Sequence, residues 1–270
     1  MSDLSQDPKG FIARFRALPT DSIPKTVFVA VTLCLFCSMI VSIAAVSLRP
    51  VQNANKLLDK QKNILQVAGL YEDGMNIAQA FSAFEPRVVE LATGTYTDQF
   101  DAATFDDIAA ASDPALSVPL TDDPAGIGRQ SKYATVYLLN DASGALDKVI
   151  LPIYGYGLWS TLYGFIALEE NGNDVYGLQF YEHAETPGLG GEVDNPRWKS
   201  QWKGKMLRDP SGDLKITVAK GGAPTGQEAY HVDALAGATL TSRGVDNLVR
   251  FWMGAQGFEP YITNLQNGAL

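Results

Sequence analysis

Three hydroxyl side chains stand close together near the C-terminal end of this 270-residue chain, in the segment Asp233–Ser242. Thr239, Thr241 and Ser242 could each accept a phosphoryl group, and the small residues before them let a bulky anion approach the backbone. An apolar repeat at helical spacing follows, over Val245–Met253. A phosphate at the start of that helix would face free N–H groups and the positive end of the helix dipole.

The start of this helix and the role of the segment both have alternatives. Thr241 or Ser242 is of the type that caps a helix N-terminus, so we expect one of them to be the N-cap of this helix. A loop of small residues and hydroxyls that enters a helix is also common in proteins without any ligand. Because short motifs often match by chance, the segment alone only suggests a phosphate site.

One uncharged apolar run, Thr26–Leu48, is long enough at 23 residues to cross a bilayer, which needs about 20. A signal peptide has a shorter apolar core of about 7–15 residues. The residues before Cys34 and Cys37 are too large for lipoprotein cleavage. We therefore expect an uncleaved N-terminal anchor. Basic residues flank the run almost equally on its two sides, so charge does not orient it.

Composition argues against several classes of protein. The formal net charge of −9 argues against a nucleic-acid binder. Cys34 and Cys37 both lie in the apolar run, so the rest of the chain has no disulfide. Packing or lipid contact is their simpler role, although partner chains could complete a metal site.

His183 and His231 have no cluster of ligands around them in the sequence, so no metal site is predicted. The chain has no Walker or dinucleotide-binding glycine motif and no nucleophile elbow.

Strand patterns dominate from residue 134 onward. The sequence predicts a helix over 53–67 and a loop over 113–132. Meandering strands with a few helices indicate an α+β fold, in which a single transmembrane helix precedes a mainly antiparallel sheet flanked by helices. The predicted strands are 135–139, 147–151, 163–168, 175–180 and 214–218, with hairpin turns at 140–144 and 171–173.

Two more segments combine glycines with side chains that could hold a flat ligand. The segment Tyr154–Ser160 joins two predicted strands, and its Tyr156 and Trp159 could stack on a ring or pack in the core. The segment Glu182–Glu192 follows a strand end and contains a Pro-Gly turn flanked by acids and hydroxyls. Such a turn could form the edge of a ligand site or could simply be a wide turn.

The combination of these motifs resembles a known family. An anchor, a Gly-Tyr-Gly-Leu-Trp loop, Glu-Thr-Pro-Gly-Leu-Gly and Gly-Ala-Thr before a helix are typical of the FMN-binding domain of bacterial redox-driven ion pumps. The chain is most similar to the C subunit of the sodium-translocating NADH:quinone oxidoreductase. The blocks Gly155–Gly164 and Phe251–Pro260 favour it over the related G subunit of Rnf complexes. The implied domains are a cytoplasmic tail at 1–25, a transmembrane helix at 26–48, a periplasmic membrane-proximal region of helical or mixed structure at 49–132, and the FMN-binding domain at 133–270.

The resemblance also implies the site. FMN is expected to be covalently attached, by a phosphoester, to Thr239. Asp233 heads the motif that a separate flavin transferase recognises when it takes FMN from FAD with Mg²⁺. Ala236 stands where the family usually has Ser or Thr, which removes one possible hydroxyl contact. No catalytic residue is implied, and the other implied cofactor-binding residues are Tyr156, Trp159, Glu185, Thr186, Leu189, Gly190, Gly237 and Ala238.

The implied function is an electron relay in a membrane complex that oxidises NADH, reduces ubiquinone and pumps Na⁺. The flavin would supply the electron chemistry, so the subunit needs no catalytic activity of its own. The implied location is the bacterial inner membrane, with one pass and the large domain in the periplasm. The implied partners are the other subunits, the flavin transferase and membrane lipid. Two alternatives stay open: a G-type subunit of an Rnf ferredoxin:NAD⁺ complex, and a membrane-tethered binding module without flavin.

Overall fold

The computed structural model describes residues 11–19 and 22–270, in two units that divide after Leu57. In the first unit, helix α1 (Phe11–Ala17) packs on helix α2 (Ile23–Val67), where the rings of Phe15 and Phe28 lie 4.6 Å apart. The sequence leaves open whether the tail at 1–25 is a surface helix or a loose segment. Its first ten residues and residues 20–21 lie outside the described residues.

Helix α2 is one element of 45 residues that carries the whole apolar run. Its most apolar 18-residue window has a mean hydropathy of 2.6 and no buried residue. Among the described residues it is the one helix long and apolar enough to cross a membrane. The helix predicted over 53–67 is present as the last part of α2, which continues from the apolar run through Pro50. A proline removes one backbone hydrogen bond, and the backbone hydrogen bonds on either side of it are sufficient to continue the helix.

The second unit begins at Leu58 and is built on a seven-stranded antiparallel sheet with the order β2-β1-β5-β6-β7-β8-β9. Two short pairs accompany it, antiparallel β3–β4 and parallel β10–β11. The strands are β1 (Phe84–Glu90), β2 (Thr95–Tyr96), β3 (Ser117–Pro119), β4 (Arg129–Ser131), β5 (Tyr133–Asn140), β6 (Leu146–Tyr156), β7 (Thr161–Glu169), β8 (Asp174–Glu182), β9 (Lys205–Met206), β10 (Thr217–Ala219) and β11 (His231–Asp233).

Helices cover both faces of the sheet, which confirms the predicted α+β fold. Four of the five predicted strands, at 135–139, 147–151, 163–168 and 175–180, and both hairpin turns are present. Of the strand predicted at 214–218, only the end forms, as part of β10. The loop predicted at 113–132 contains the short strands β3 and β4. Strands of three residues are too short to show an alternating apolar pattern in the sequence. The remaining helices are α3 (Ile77–Phe81), α4 (Asp107–Ala111), α5 (Pro196–Lys199), α6 (Thr239–Trp252) and α7 (Glu259–Gln266).

Successive side chains of β6 enter two different cores. Val149, Leu151 and Ile153 join the core that contains α6 and α7. Ile150 joins the core that contains Ile64 from the last turns of α2. Because both faces of the sheet are covered, the central strands are almost continuously apolar.

Helix α6 lies close to the end of β6 because both elements have a glycine where they meet. A Cβ at Gly155 would stand 2.5 Å from the Cβ of Leu248, and a Cβ at Gly244 would stand 2.5 Å from the carbonyl oxygen of Tyr156. Neither gap accommodates a side chain. This close packing places the first turn of α6 beside the loop that follows β6.

We predict that Trp252→Phe lowers the free energy of unfolding of the second unit by about 1–3 kcal/mol. The buried Trp252 indole donates to the carbonyl of Tyr154 at 2.7 Å, and phenylalanine loses this donor and leaves unfilled volume. Urea denaturation of the full chain in detergent, followed by far-UV circular dichroism, measures the change. Trp159→Phe is the matched control, because Trp159 is 66% exposed; its expected effect is within about 0.5 kcal/mol. Equal effects would contradict the packing described.

Candidate functional site

The buried carboxylate of Glu185, 5% exposed, joins three segments of the second unit. Glu185 lies three residues past the end of β8. Its Oε1 accepts hydrogen bonds from the backbone amides of Leu158 and Trp159, both at 2.9 Å, and from that of Ser160 at 3.4 Å. Its Oε2 accepts from the hydroxyl of Thr241 at 2.7 Å. One side chain therefore ties the loop after β6 to the first turn of α6.

The hydrogen bonds decide the ionisation of Glu185. Burial alone would raise the pKa of its carboxyl group, but the donors outweigh burial and hold the pKa below its usual value. The Thr241 hydroxyl contributes most to this lowering, followed by the amides of the loop. The carboxylate is therefore ionised at neutral pH and acts only as an acceptor.

Two glycines leave room for this carboxylate. A Cβ at Gly190 would stand 2.5 Å from Oε2 of Glu185 and 2.6 Å from the hydroxyl oxygen of Thr241. A Cβ at Gly157 would stand 2.5 Å from Oε1 of Glu185. The predicted contacts of Glu185 and Gly190 with an isoalloxazine ring stay predictions. In the structure, Glu185 links the loop after β6 to the first turn of α6, and Gly190 leaves room for it. We call this hydrogen-bonded link the Glu185 bracket.

Thr186 and Leu189 are the two ends of a tight turn. The amide of Leu189 donates to the carbonyl of Thr186 at 3.1 Å, with Pro187 and Gly188 between them. Gly188 has φ of +75°, as the third residue of a type II turn requires. The turn leaves Leu189 45% exposed, and Thr186 is also exposed.

Exposed apolar side chains cluster in the segments that Glu185 joins. Nine large apolar side chains are exposed in the second unit, and five of them belong to these segments. Exposed apolar side chains concentrated in segments that the fold joins are characteristic of a binding site. We call these five the apolar platform: Tyr156 (49% exposed), Leu158 (36%), Trp159 (66%), Leu189 (45%) and Leu240 (52%).

The three hydroxyls near the start of α6 differ in their availability. Thr241 is buried and donates to Glu185. Ser242 is also buried; its hydroxyl accepts from one backbone amide and donates to one carbonyl, each at 2.9 Å. Thr239 is exposed, and its hydroxyl makes no hydrogen bond with any residue that the structure describes. Of the three, Thr239 alone is free to carry a group.

The predicted helix start at Thr241 or Ser242 is wrong, because α6 begins at Thr239 with Ala238 as its N-cap. The hydroxyls of Thr241 and Ser242 are committed to other partners inside the first turn. No side chain caps the helix. The ladder starts with the Ser242 amide, which donates to the Ala238 carbonyl at 2.9 Å. The amides of Thr239, Leu240 and Thr241 therefore lack an acceptor within the described part of the chain, and a bound anion could satisfy them.

Gly237 and Ala238 have different environments. The amide of Ala238 donates to the carbonyl of Leu235 at 3.3 Å and closes a turn in which Gly237 has φ of +74°. That left-handed conformation favours glycine. Gly237 is exposed and lies against the apolar platform, since a Cβ there would stand 3.3 Å from Cδ2 of Leu189. Ala238 is 6% exposed.

A cleft of about 640 Å³ opens beside Thr239. Asp233 lines it, with a side chain that is 62% exposed and a carbonyl that accepts from an indole N–H at 2.8 Å. The basic residues Lys220 and Arg243 also line it, and the sequence motifs predict neither of them. The spacing of four residues between Thr239 and Arg243 is the signal that could have found the second.

The two histidines each pair with an aspartate. Nε2 of His183 lies 2.9 Å from Oδ2 of Asp194, and Nε2 of His231 lies 3.2 Å from Oδ1 of Asp233. Within residues 11–19 and 22–270, no group of three or more His, Cys, Asp or Glu side chains is placed to hold a metal ion.

Comparison with known proteins identifies the family. Residues 157–254, which contain the Glu185 bracket and the start of α6, match the family model of the FMN-binding domain. The chain is 51% identical over 256 residues to the C subunit of the Na(+)-translocating NADH-quinone reductase of Pseudomonas aeruginosa, covering 92% of this chain and 98% of that protein. The protein belongs to this family of C subunits. The C subunit of Yersinia pestis is 48% identical over 93% of this chain and 96% of its own length.

Solved structures of the same family share the fold. The crystal structure of Shewanella oneidensis NqrC is similar with a TM-score of 0.74 at 36% identity, covering 79% of this chain and 99% of that one. The C subunit of the Na(+)-translocating NADH-quinone reductase of Parabacteroides distasonis gives a TM-score of 0.63 at 28% identity, covering 81% of this chain and 96% of its own. The family and the α+β fold predicted from the sequence are therefore confirmed.

We predict that Glu185→Gln lowers the free energy of unfolding at pH 7 by about 1.5–3 kcal/mol, because an amide cannot accept from both the loop and Thr241. The folded pKa of Glu185 is depressed, so its contribution is present above the unfolded value of about 4.3. That contribution is lost as the pH falls towards the folded pKa. The difference in the free energy of unfolding between wild type and Glu185→Gln should therefore become smaller below about pH 4.3.

Denaturant titrations at several pH values measure this difference. Glu182→Gln is the matched control, because Glu182 is exposed at the end of β8 and none of the described residues hydrogen-bonds its side chain. Its effect should be small at every pH. A deficit of Glu185→Gln that is independent of pH would show that the carboxylate charge is not what holds the bracket.

Proposed function

We propose that this protein is the electron-relay flavoprotein subunit of a membrane complex that oxidises NADH, reduces ubiquinone and exports Na⁺. It carries FMN covalently, through a phosphoester bond to Thr239. The observation that carries this proposal is the exposed, unbonded hydroxyl of Thr239 beside three amides of α6 that lack acceptors among the described residues. Bound FMN supplies the electron chemistry, and the residues of the chain bind and orient it.

The first turn of α6 provides the phosphate end of the site. The free amides of Thr239, Leu240 and Thr241 would donate to phosphate oxygens, and the positive end of the helix dipole would favour the anion. Gly237 keeps the approach to Thr239 free of a side chain. Asp233, exposed beside the cleft, is available to a flavin transferase during maturation.

The apolar platform provides the ring end of the site. Tyr156 and Trp159 offer flat surfaces for an aromatic ring, and Leu189 offers an aliphatic one. Glu185 fixes the backbone that carries Trp159 through its hydrogen bonds to the amides of that loop. Exposed side chains would hold a ring without enclosing it, which would suit electron exchange with partner proteins.

The place of the subunit in a complex is inferred from its relatives and its anchor. The proteins of Pseudomonas aeruginosa and Yersinia pestis that it matches are named as subunits of the Na(+)-translocating reductase. Helix α2 is apolar enough to contact lipid and the membrane subunits. We place the second unit in the periplasm and expect the isolated subunit to have no catalytic activity of its own.

We predict that Thr239→Ala abolishes covalent flavin while the domain still folds, because the exposed hydroxyl makes no contact that folding needs. The full chain is produced together with the flavin transferase. In-gel flavin fluorescence after denaturation and intact mass are then measured. Wild type should carry the mass of FMN less one water, located by peptide mapping to residues 231–243.

Thr263→Ala is the matched control, an exposed threonine on α7 whose loss should leave the flavin in place. Flavin that persists in Thr239→Ala would move the attachment to another residue. Wild-type protein without flavin would refute the electron-relay function and favour a binding module.

A second prediction concerns the ring. Trp159→Ala should keep the covalent flavin but lower its fluorescence anisotropy, because the platform loses its most exposed aromatic side chain. Trp159→Phe retains a ring and should stay close to wild type. An unchanged anisotropy in Trp159→Ala would mean that the flavin ring lies elsewhere.

A further inference from the structure

Two basic side chains line the same cleft as Thr239. Arg243 lies one turn further along α6, so it shares a helix face with Thr239. Lys220 comes directly after β10 and is followed by Gly221 and Gly222, with φ of +104° and +77°. A Cβ on either glycine would meet no atom within 4 Å, so the cleft is open beside Lys220.

These two cations have no partner in the part of the chain that the structure describes. Four of the six arginines in the second unit form a salt bridge or donate a hydrogen bond from the guanidinium, and only Arg197 and Arg243 do neither. Unpaired cations converging on one cleft of a protein with net charge −9 indicate an anionic ligand. The four paired arginines are Arg87, Arg129, Arg208 and Arg250.

The two carboxylates in the cleft, Asp233 and Asp246, have partners other than Arg243 and Lys220. Oδ1 of Asp246 accepts from the hydroxyl of Thr217 at 3.0 Å and from the amide of Val218 at 2.7 Å. Oδ1 of Asp233 lies 3.2 Å from Nε2 of His231. Neither carboxylate forms a salt bridge with a described lysine or arginine, so Arg243 and Lys220 have no direct ionic partner in the cleft.

We propose that Arg243 and Lys220 bind the phosphodiester that the proposed function places on Thr239, so this inference rests on that attachment. The planar guanidinium of Arg243 can donate two parallel hydrogen bonds to phosphate oxygens, and the ammonium of Lys220 adds a second charge from the neighbouring loop. Hydrogen bonds from these two side chains restrict rotation about the bonds that join the phosphate to Thr239. The two basic residues are thus positioning residues for the flavin ring.

The test uses the full chain in detergent, produced with and without the flavin transferase. Phenylglyoxal, which modifies free guanidinium groups, is added to both forms, and peptide mapping measures the rate at each arginine. Arg243 should react about tenfold more slowly in the flavin-carrying form, which corresponds to about 1.4 kcal/mol. Arg197 is the internal control, because it is unpaired and exposed on α5 outside the cleft. Its rate should be the same in both forms.

Slower modification of Arg243 could also arise if the flavin ring merely covered its side chain. The ³¹P resonance of the flavin-carrying protein tests directly whether Arg243 hydrogen-bonds the phosphate. Arg243→Gln and Lys220→Gln should each shift the resonance towards that of a free phosphodiester. Arg243→Lys should shift it less, because the charge remains while the planar fork is lost. Arg197→Gln should leave it unchanged.

Equal modification of Arg243 in the two forms overturns this inference, and so does a ³¹P resonance that Arg243→Gln leaves unchanged. In both cases the covalent flavin is still present, so the proposed function stands. Wild-type protein that lacks the FMN mass after production with the transferase overturns the proposed function, and this inference with it.

Discussion

The site depends on a buried carboxylate, Glu185, that must find enough donors to remain charged. A buried anion without donors is costly, so the fold has to bring several N–H and O–H groups to one point. The antiparallel sheet does this because the ends of β6 and β8 emerge at the same edge, on either side of the start of β7. Close packing of α6 on β6, through Gly155 and Gly244, supplies the remaining donor, the hydroxyl of Thr241.

The need of Glu185 for donors also explains why the hydroxyls of Thr239, Thr241 and Ser242 differ in their availability. Thr241 is committed to Glu185, and Ser242 closes the turn before α6. Thr239 precedes both and faces solvent beside amides that no described residue satisfies. Its availability therefore follows from the structural use of its neighbours, and the proposed attachment point is the hydroxyl that the fold does not need.

Local patterns in the sequence predict most of the sheet, but not this division of roles. The turn at 140–144 forms because the carboxylate of Asp141 accepts from the amides of Ser143 and Ala145, and Asn171 acts similarly at 171–173. Both interactions are local. The start of α6 could not be predicted, because Thr241 looks like a helix cap until its partner, 56 residues earlier in the chain, is known. The cleft of Lys220 and Arg243 is non-local in the same way.

Under the proposed function, retention and orientation of the flavin are separate tasks. A flavin held without a covalent bond is retained only by its contacts with the protein, and extensive contact with the ring would cover surface that redox partners need to reach. A covalent tether instead keeps the ring at high effective concentration beside the platform, so weak stacking is sufficient to place it. This accounts for a platform whose most exposed side chain, Trp159, is 66% exposed. The platform, together with Arg243 and Lys220 in the cleft, then sets the position of the ring, while Thr239 determines whether the flavin is present.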